Sequence, residues 1–235
     1  MDLLRHLPAA VLAAVLSWAA TGVALAEDDA IPAKEEPRHR PKLENEYVRI
    51  LDVEIPAGDQ TLFHTHDLNY AYLMVNAALL RNEVKGKPGT VEIKIPAGLV
   101  GYYRASEGAY THRFTNIGTE PFHAIGIELM RPAPSPAVVP PLPEKAGYVT
   151  VLDNERVRVY RVALEPGQST PSVMLAGPSI RVAGTEGRIL QQAPGADAVA
   201  VDLVPARFEF RAGPAAHSLK NVGAARVEIY EFELK

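Results

Sequence analysis

Apolar and polar residues alternate along much of the chain. The clearest stretches are VRILDVEIP, TVEIKIPAG and FHAIGIELM in the first half, and VRVYRVALEP, AVAVDLVPA and RVEIYEFELK in the second. A period of two is typical of β-strands with one buried face, and Gly or Pro separates the stretches. A helical period is not evident outside the N-terminus. The pattern predicts an all-β protein built as a sandwich or barrel in each half.

The two halves resemble each other in sequence. ENEYVRI (44–50) matches DNERVRV (153–159), an offset of 109 residues. Near the end of each half, a glycine, a histidine and an asparagine recur at the same spacing, as Gly108, His112, Asn116 and as Gly213, His217, Asn221, an offset of 105 residues. Agreement at both ends indicates a duplicated domain.

Composition shifts divide the chain further. Residues 1–26 have Arg5, a long apolar run and an Ala-x-Ala ending, which predicts a cleaved signal peptide; an uncleaved membrane anchor is the alternative. Charged, proline-containing residues 27–43 predict a flexible leader, in which we assign His39 no role. Proline-rich residues 131–147 predict a linker. The predicted domains are 44–130 and 148–235.

Charge and cysteine content exclude several classes of function. The formal net charge is −4 with mixed signs, so a nucleic-acid partner is not expected. The chain has no cysteine, which excludes disulfides and thiolate metal ligands. With the signal peptide, this predicts a periplasmic or secreted protein that is not membrane-bound when mature.

Histidines form the main candidate site. His64 and His66 are two residues apart in HTH, so in a strand both side chains point to the same face. His112, which follows the turn at Gly108, is the obvious third ligand for a divalent first-row metal. The alternative is that His64 and His66 lie on the surface of an ordinary strand.

These motifs resemble the two signature motifs of the cupin superfamily. Gly58-x5-His64-x-His66 fits the first motif, and Gly108-x3-His112-x3-Asn116 fits the second with one extra residue. With the duplication, the chain resembles a two-domain cupin (bicupin). The resemblance implies two tandem double-stranded β-helix (jelly-roll) barrels, the first holding a metal through His64, His66 and His112.

The chain departs from the cupin pattern where the family has a glutamate after the second histidine. Tyr70 and Ala71 occupy those places, so the fourth ligand is missing or replaced, with Tyr70 a weak candidate because of its high intrinsic pKa. In the second half, Val173 and Leu175 stand where His64 and His66 stand in the first. The C-terminal domain is therefore predicted to be a degenerate cupin without a metal.

Other residues near the motifs have less specific signals. Tyr70, Tyr72 and Arg104 are candidates for substrate binding, although strand tyrosines often belong to the core and Arg104 has a solvated rim as its alternative. His123, in FHAIGIELM, is predicted to be a packed histidine rather than a ligand.

The sequence thus predicts an exported bicupin that binds one divalent transition metal and acts on a small molecule. An oxygen-dependent, dioxygenase-like oxidoreductase is the leading hypothesis, with iron the favoured ion and manganese, nickel, zinc or copper as alternatives. A non-catalytic protein that binds a small molecule or anion, or a purely structural cupin, is the alternative. Pairing into a homodimer is a further hypothesis.

Overall fold

The structure, a computed structural model, describes residues 29–134, 141–144 and 147–235. The predicted signal peptide, and residues 135–140 and 145–146 of the predicted linker, lie outside the described residues. Within the described part of the chain, no helix is long and apolar enough to span a membrane.

The described chain consists of strands, confirming the all-β prediction. The only helical elements described are single 3₁₀ turns at Ala33–Glu35 and Ala105–Glu107. The first half contains ten strands: β1 (Ile31–Pro32), β2 (His39–Glu44), β3 (Val48–Ile55), β4 (His64–His66), β5 (Tyr70–Met74), β6 (Ala78–Val84), β7 (Val91–Ile95), β8 (Val100–Tyr103), β9 (Tyr110–Asn116) and β10 (Phe122–Leu129).

The second half contains nine strands. They are β11 (Tyr148–Asp153), β12 (Val157–Leu164), β13 (Val173–Leu175), β14 (Ser179–Ala183), β15 (Gly187–Gln192), β16 (Val199–Leu203), β17 (Phe208–Arg211), β18 (Ala215–Asn221) and β19 (Val227–Leu234).

Each half folds into a barrel of two sheets with the same topology. The first barrel has the sheets β1-β4-β9-β6-β7 and β2-β3-β10-β5-β8, and the second has β13-β18-β15-β16 and β11-β12-β19-β14-β17. The registers also correspond, since His64 pairs with His112 as Val173 pairs with His217. The duplication predicted from sequence is therefore a duplication of structure, apart from β1, which is paired only in the first barrel.

A shared core joins the two barrels. Sheet β2-β3-β10-β5-β8 turns one apolar face into its own barrel and the other against sheet β11-β12-β19-β14-β17, so that Ile50 and Ile127 lie in one cluster with Val159 and Phe232. Strands buried on both faces read as near-continuous apolar runs, as in FHAIGIEL. The barrels are thus packed sheet against sheet.

The asparagines of the repeated motif have a structural role. The Asn116 side chain donates to the carbonyls of Ile55 and Glu120 and accepts from Gly118 N–H. Asn221 makes the equivalent three bonds in the second barrel. Both side chains are fully buried, so the motif asparagine satisfies backbone groups at a turn in each barrel.

The prediction of a flexible leader is wrong for its described part. β2 pairs with β3 from His39 to Glu44, and β1 pairs in parallel with β4. Pro41 is compatible with this because β2 is at the edge of its sheet and carries a register shift after Pro41. The segment therefore adds strands to its own barrel.

Candidate metal centre and its cavity

Four histidines converge inside the first barrel. His64 and His66 project from one face of β4, and His112 lies directly opposite His64 on β9. His39, the first residue of β2, reaches the same interior from the other sheet. All four are buried, with exposures between 0% and 6%.

Three of the four imidazole rings, those of His39, His64 and His66, lie close enough to share one ion, and the ring of His112 lies beside those of His64 and His66. His64 is central, with ring centroids 4.4 Å from His39, 4.9 Å from His66 and 4.5 Å from His112. The ring of His66 lies 5.3 Å from that of His112. His39, His64 and His66 each offer a ligand atom within 4.8 Å of the others. The cluster thus contains the three predicted ligands and a fourth imidazole.

Hydrogen bonds set the tautomer of three rings. Nδ1 of His39 lies 3.0 Å from the Ala33 carbonyl, and Nδ1 of His64 lies 2.9 Å from the Leu62 carbonyl. Nδ1 of His112 lies 2.9 Å from Asn82 Oδ1. Since each partner is an acceptor, Nδ1 carries the proton and donates it, which leaves the Nε2 lone pair available.

Unpaired nitrogen atoms show that the cluster fits a metal. His64 Nε2, His66 Nδ1 and His112 Nε2 are all buried and have no hydrogen-bond partner. Buried polar atoms without partners are rare and destabilising, and here three of them belong to adjacent rings. A divalent ion held by these nitrogens would satisfy them together.

The imidazoles are held in the neutral form that a metal requires. Burial lowers the pKa of His64 to about 4, and burial together with the neighbouring His64 lowers that of His66 to about 3. Burial, then the other histidines, lowers the pKa values of His112 and His39 well below the usual range. Protons therefore do not compete for these lone pairs near neutral pH.

Tyr70 forms a wall of the site. Its ring stacks on His66 at a centroid distance of 4.4 Å. Burial, and then nearby Tyr72, raises the pKa of Tyr70 far above its usual range, so it is not an anion. It is therefore a poor replacement for the missing glutamate, and the candidate ligands are all neutral.

A cavity of about 290 Å³ adjoins the histidines. Aromatic side chains dominate its lining, and the ring of Tyr72 lies so close to Gly101 that a Cβ at this glycine would be 2.2 Å from it. The lining consists of His39, Leu51, Val53, His64, His66, Tyr70, Tyr72, Met74, Asn82, Ile93, Tyr102, Tyr103, Tyr110, His112, Phe114, Phe122, Ala124, Gly126 and Glu128. Tyr70 and Tyr72 are thus both part of the cavity lining.

The structure places Arg104 and His123 away from the histidine cluster. Arg104 does not line the cavity and instead forms ion pairs with Glu107 and, across the barrel interface, with Glu155. Arg104 therefore corresponds to the alternative of a solvated rim. His123 Nε2 lies 2.7 Å from Asp52 Oδ1, and His123 is not among the described residues that line the cavity.

His39 is a candidate metal ligand that the sequence pattern did not predict. The two predicted domains began at 44 and 148, although the repeat offset of 109 places the counterpart of Tyr148 at His39. The registers agree, since His39 pairs with Val53 as Tyr148 pairs with Val162. Applying the offset to the domain start would have identified the strand and its histidine.

The second barrel holds an ionic network at the equivalent place. Tyr148, Val173 and Leu175 replace His39, His64 and His66, and only His217 remains. Its Nε2 lies 3.1 Å from the Tyr148 hydroxyl and 3.2 Å from Glu231.

The centre of that network is a carboxylate. Glu231, 0% exposed, accepts from Arg181 Nε at 2.6 Å and pairs with Arg211 at 3.4 Å. Burial opposes its ionisation, but Arg181, then His217 and Arg211, lower the pKa of Glu231 to about 2. The interior of this barrel is thus stabilised by side chains of opposite charge.

Comparisons with known proteins agree with the fold. No protein-family model and no curated protein matches the sequence. Among solved structures, AerE from Microcystis aeruginosa is 13% identical over 85% of this chain and 98% of its own, with a TM-score of 0.56. An oxalate decarboxylase variant from Bacillus subtilis is 10% identical over 83% of this chain and 74% of its own (TM-score 0.55).

A third similar structure contains a ligand. A salicylate 1,2-dioxygenase variant from Pseudoaminobacter salicylatoxidans, in complex with gentisate, is 11% identical over 86% of this chain and 76% of its own (TM-score 0.55). Such low identities show the fold alone. The likeness spans both barrels and shows that the chain shares the fold of these proteins, which agrees with the resemblance to two-domain cupins in its repeated motifs.

Proposed function

We propose that the first barrel binds one divalent transition metal through His64, His66 and His112, with His39 as a fourth donor. With the metal bound, the protein would act on a small molecule as an oxygen-dependent, dioxygenase-like oxidoreductase. The observation that carries the metal site is the group of three buried imidazole nitrogens without partners, on adjacent rings.

The donor set favours a borderline metal. Neutral imidazoles suit iron, nickel, copper and zinc, and manganese is a further alternative. Iron is our choice, because a bound iron with open coordination positions supplies sites for both a substrate oxygen and dioxygen.

The side chains around the cluster would keep the site ordered and dry. Asn82 holds His112 from one side and donates to the Tyr110 hydroxyl at 2.7 Å. Tyr70 covers His66, and Phe114 packs edge-on against His112 at 4.5 Å. These contacts limit rotation of the imidazoles and reduce the access of water to them.

A non-catalytic binding protein is the second candidate. The observation favouring it is that Glu128, the carboxylate in the described cavity lining, is ion-paired with Arg49, and so is poorly placed as a general base. Oxygen-dependent chemistry has less need of such a base than hydrolysis, so the same observation is compatible with the leading proposal.

Elemental analysis tests the metal site. We expect about one metal ion per purified chain, lost in His64→Ala and retained in His217→Ala, the matched histidine of the second barrel. Absence of metal from the unmodified protein after incubation with iron, manganese, nickel, zinc and copper salts would overturn the site. Oxygen uptake in the presence of candidate substrates then separates an enzyme from a binding protein.

Export and pairing are separate proposals that rest on sequence. We propose that residues 1–26 are removed and that the mature protein is periplasmic or secreted. Mass spectrometry of protein recovered from the periplasm or medium tests this, and an intact N-terminus there would contradict it. A homodimer is tested by light scattering.

A further inference from the structure

The charge around the cavity restricts what it can hold. A histidine binds a metal as the neutral imidazole, and among the described lining residues there is no lysine or arginine. Glu128 is the charged side chain of that lining, and Arg49 neutralises it while also binding Glu44 at 2.6 Å. A second anionic group on a ligand would therefore find no cationic partner away from the metal.

The cavity favours a flat, aromatic molecule. The ring of Tyr103 lies 5.6 Å from that of Tyr70 and 5.3 Å from that of Tyr110, so three tyrosines form a continuous aromatic wall that leads to His66 and His112. The volume of about 290 Å³ is roughly twice that of a cavity of about 150 Å³ known to bind benzene. One or two fused rings would fit.

The histidine ligands determine which chemical group of the bound molecule would contact the metal. Because the candidate ligands are neutral imidazoles, a bound divalent ion would keep its full positive charge in a buried site. A single anionic oxygen, or a pair of adjacent oxygens carrying one negative charge between them, would reduce that charge. The ion is then the partner for the ligand's negative charge.

On the basis of the proposed function, we infer that the ligand is an aromatic molecule of one or two rings with adjacent oxygen donors at one end and no charge elsewhere. Molecules with a second anionic group that lies away from the metal, whether dicarboxylates or aromatic molecules, are disfavoured by the uncharged wall. The specificity thus comes from the tyrosine wall rather than from the histidines.

The second barrel shows what a charged wall looks like at the same positions. Tyr72 pairs with Gly126 in the first barrel. At the corresponding positions of the second barrel, Arg181 pairs with Glu231. Tyr103 pairs with Tyr70 in the first barrel, and Arg211 pairs with Ser179 at the corresponding positions of the second. An arginine at the position of Tyr72 therefore occurs in this fold together with a carboxylate at the position of Gly126.

A matched pair of probes tests the inference. Zinc-loaded protein, which avoids oxidation of the probe, is titrated by calorimetry with 2,3-dihydroxynaphthalene and with its 6-sulfonate, which has the same oxygen donors and one distal charge. We expect the sulfonate to bind about tenfold or more weakly, since its charge is buried without a partner. Zinc-free protein is the control, and it should bind both probes weakly.

A variant sharpens the test. Tyr72→Arg should reduce the preference for the uncharged probe, and the wild-type comparison stands even where this variant folds poorly. Equal or tighter binding of the sulfonate, or binding of neither probe to zinc-loaded protein, would overturn the ligand class and leave the metal site intact. Failure to take up zinc or any other metal would instead overturn the proposed function, and this inference with it.

Discussion

The two barrels share a topology and a register but have different interiors. The first contains four neutral imidazoles beside a cavity, and the second contains a carboxylate surrounded by two arginines, a histidine and a tyrosine. One pair of positions accounts for much of this. Gly126 on β10 leaves space over the histidines, whereas its counterpart Glu231 on β19 places a buried side chain there.

This difference shows that the barrel topology does not require imidazoles at these positions. The same sheets form in the second half, where Val173 and Leu175 occupy the positions of two imidazoles, and a shared core stabilises both halves. Apolar side chains can therefore occupy two of the histidine positions in this topology. The buried, unpaired nitrogens of the histidines are expected to destabilise the first barrel unless a metal binds.

The largest effect on stability is expected from the ionic network. Glu231→Ala should leave Arg181 and Arg211 with reduced compensation and lower the free energy of unfolding by about 3 to 5 kcal/mol. Urea unfolding measures this. Glu209→Ala, which removes an exposed partner of Arg211, is the control and should change stability by about 1 kcal/mol or less. Equal losses in the two variants would contradict the central role of Glu231.

Acid should destabilise the metal-free first barrel earlier than the second. Below about pH 6.5 the unfolded chain protonates these histidines while the folded barrel does not, so stability falls as pH drops. His64 has a pKa of about 4 in the folded protein, so the free energy of unfolding should fall by about 3 kcal/mol between about pH 6.5 and pH 4 on its account.

Glu231 affects stability over a lower range of pH. Its folded pKa is about 2, so the stability it contributes is fully present above about pH 4.5 and is lost as pH falls towards 2. The effect of His64 is tested by unfolding free energies of the metal-free protein and of His64→Ala, measured from pH 7 to 4. The free energy of the variant should decline less steeply with falling pH, and parallel curves would contradict the role assigned to His64.

A smaller effect, on metal affinity, is expected from changes to Asn82, which orients His112. Asn82→Ala should reduce metal affinity by about 10- to 100-fold, since the ring loses the acceptor that holds its tautomer. Asn82→Asp retains an acceptor and should retain most of the affinity. Competition with a metal chelator measures both variants, and an unchanged affinity in Asn82→Ala would show that the bond does not position the ligand.

The smallest effect concerns a turn that the barrels share. Ala206 has φ +66°, where its counterpart Gly98 has φ +76°, and both N–H groups bond to equivalent carbonyls, of Ala183 and Met74. Ala206→Gly should relieve left-handed strain, lose one buried methyl group and stabilise the protein by about 0.5 kcal/mol.

The reverse change at the matched turn should destabilise the protein. A Cβ on Gly98 would lie 2.4 Å from the Tyr230 hydroxyl of the second barrel, so Gly98→Ala forces a shift at the interface. Thermal unfolding measures both variants. Destabilisation by Ala206→Gly would mean that the methyl contributes more than the strain costs.

Local patterning in the sequence was sufficient to predict the strands, the duplication and the three histidines. Alternation assigns each residue to a face, and equal spacing in two copies identifies positions that fold alike. His64 and His66 follow directly from this rule, because residues two apart share a face in any strand.

Contacts between distant segments decided the rest. His39 lies in HRPKLE, whose charges and proline are typical of a flexible segment, and only pairing with β3 at a sheet edge makes it a strand. Arg104 was assigned to the site from its position in sequence, whereas its partner, Glu155, comes from the other barrel. Alternation tells which face a side chain occupies; which strand or barrel lies opposite that face depends on register and packing over long separations.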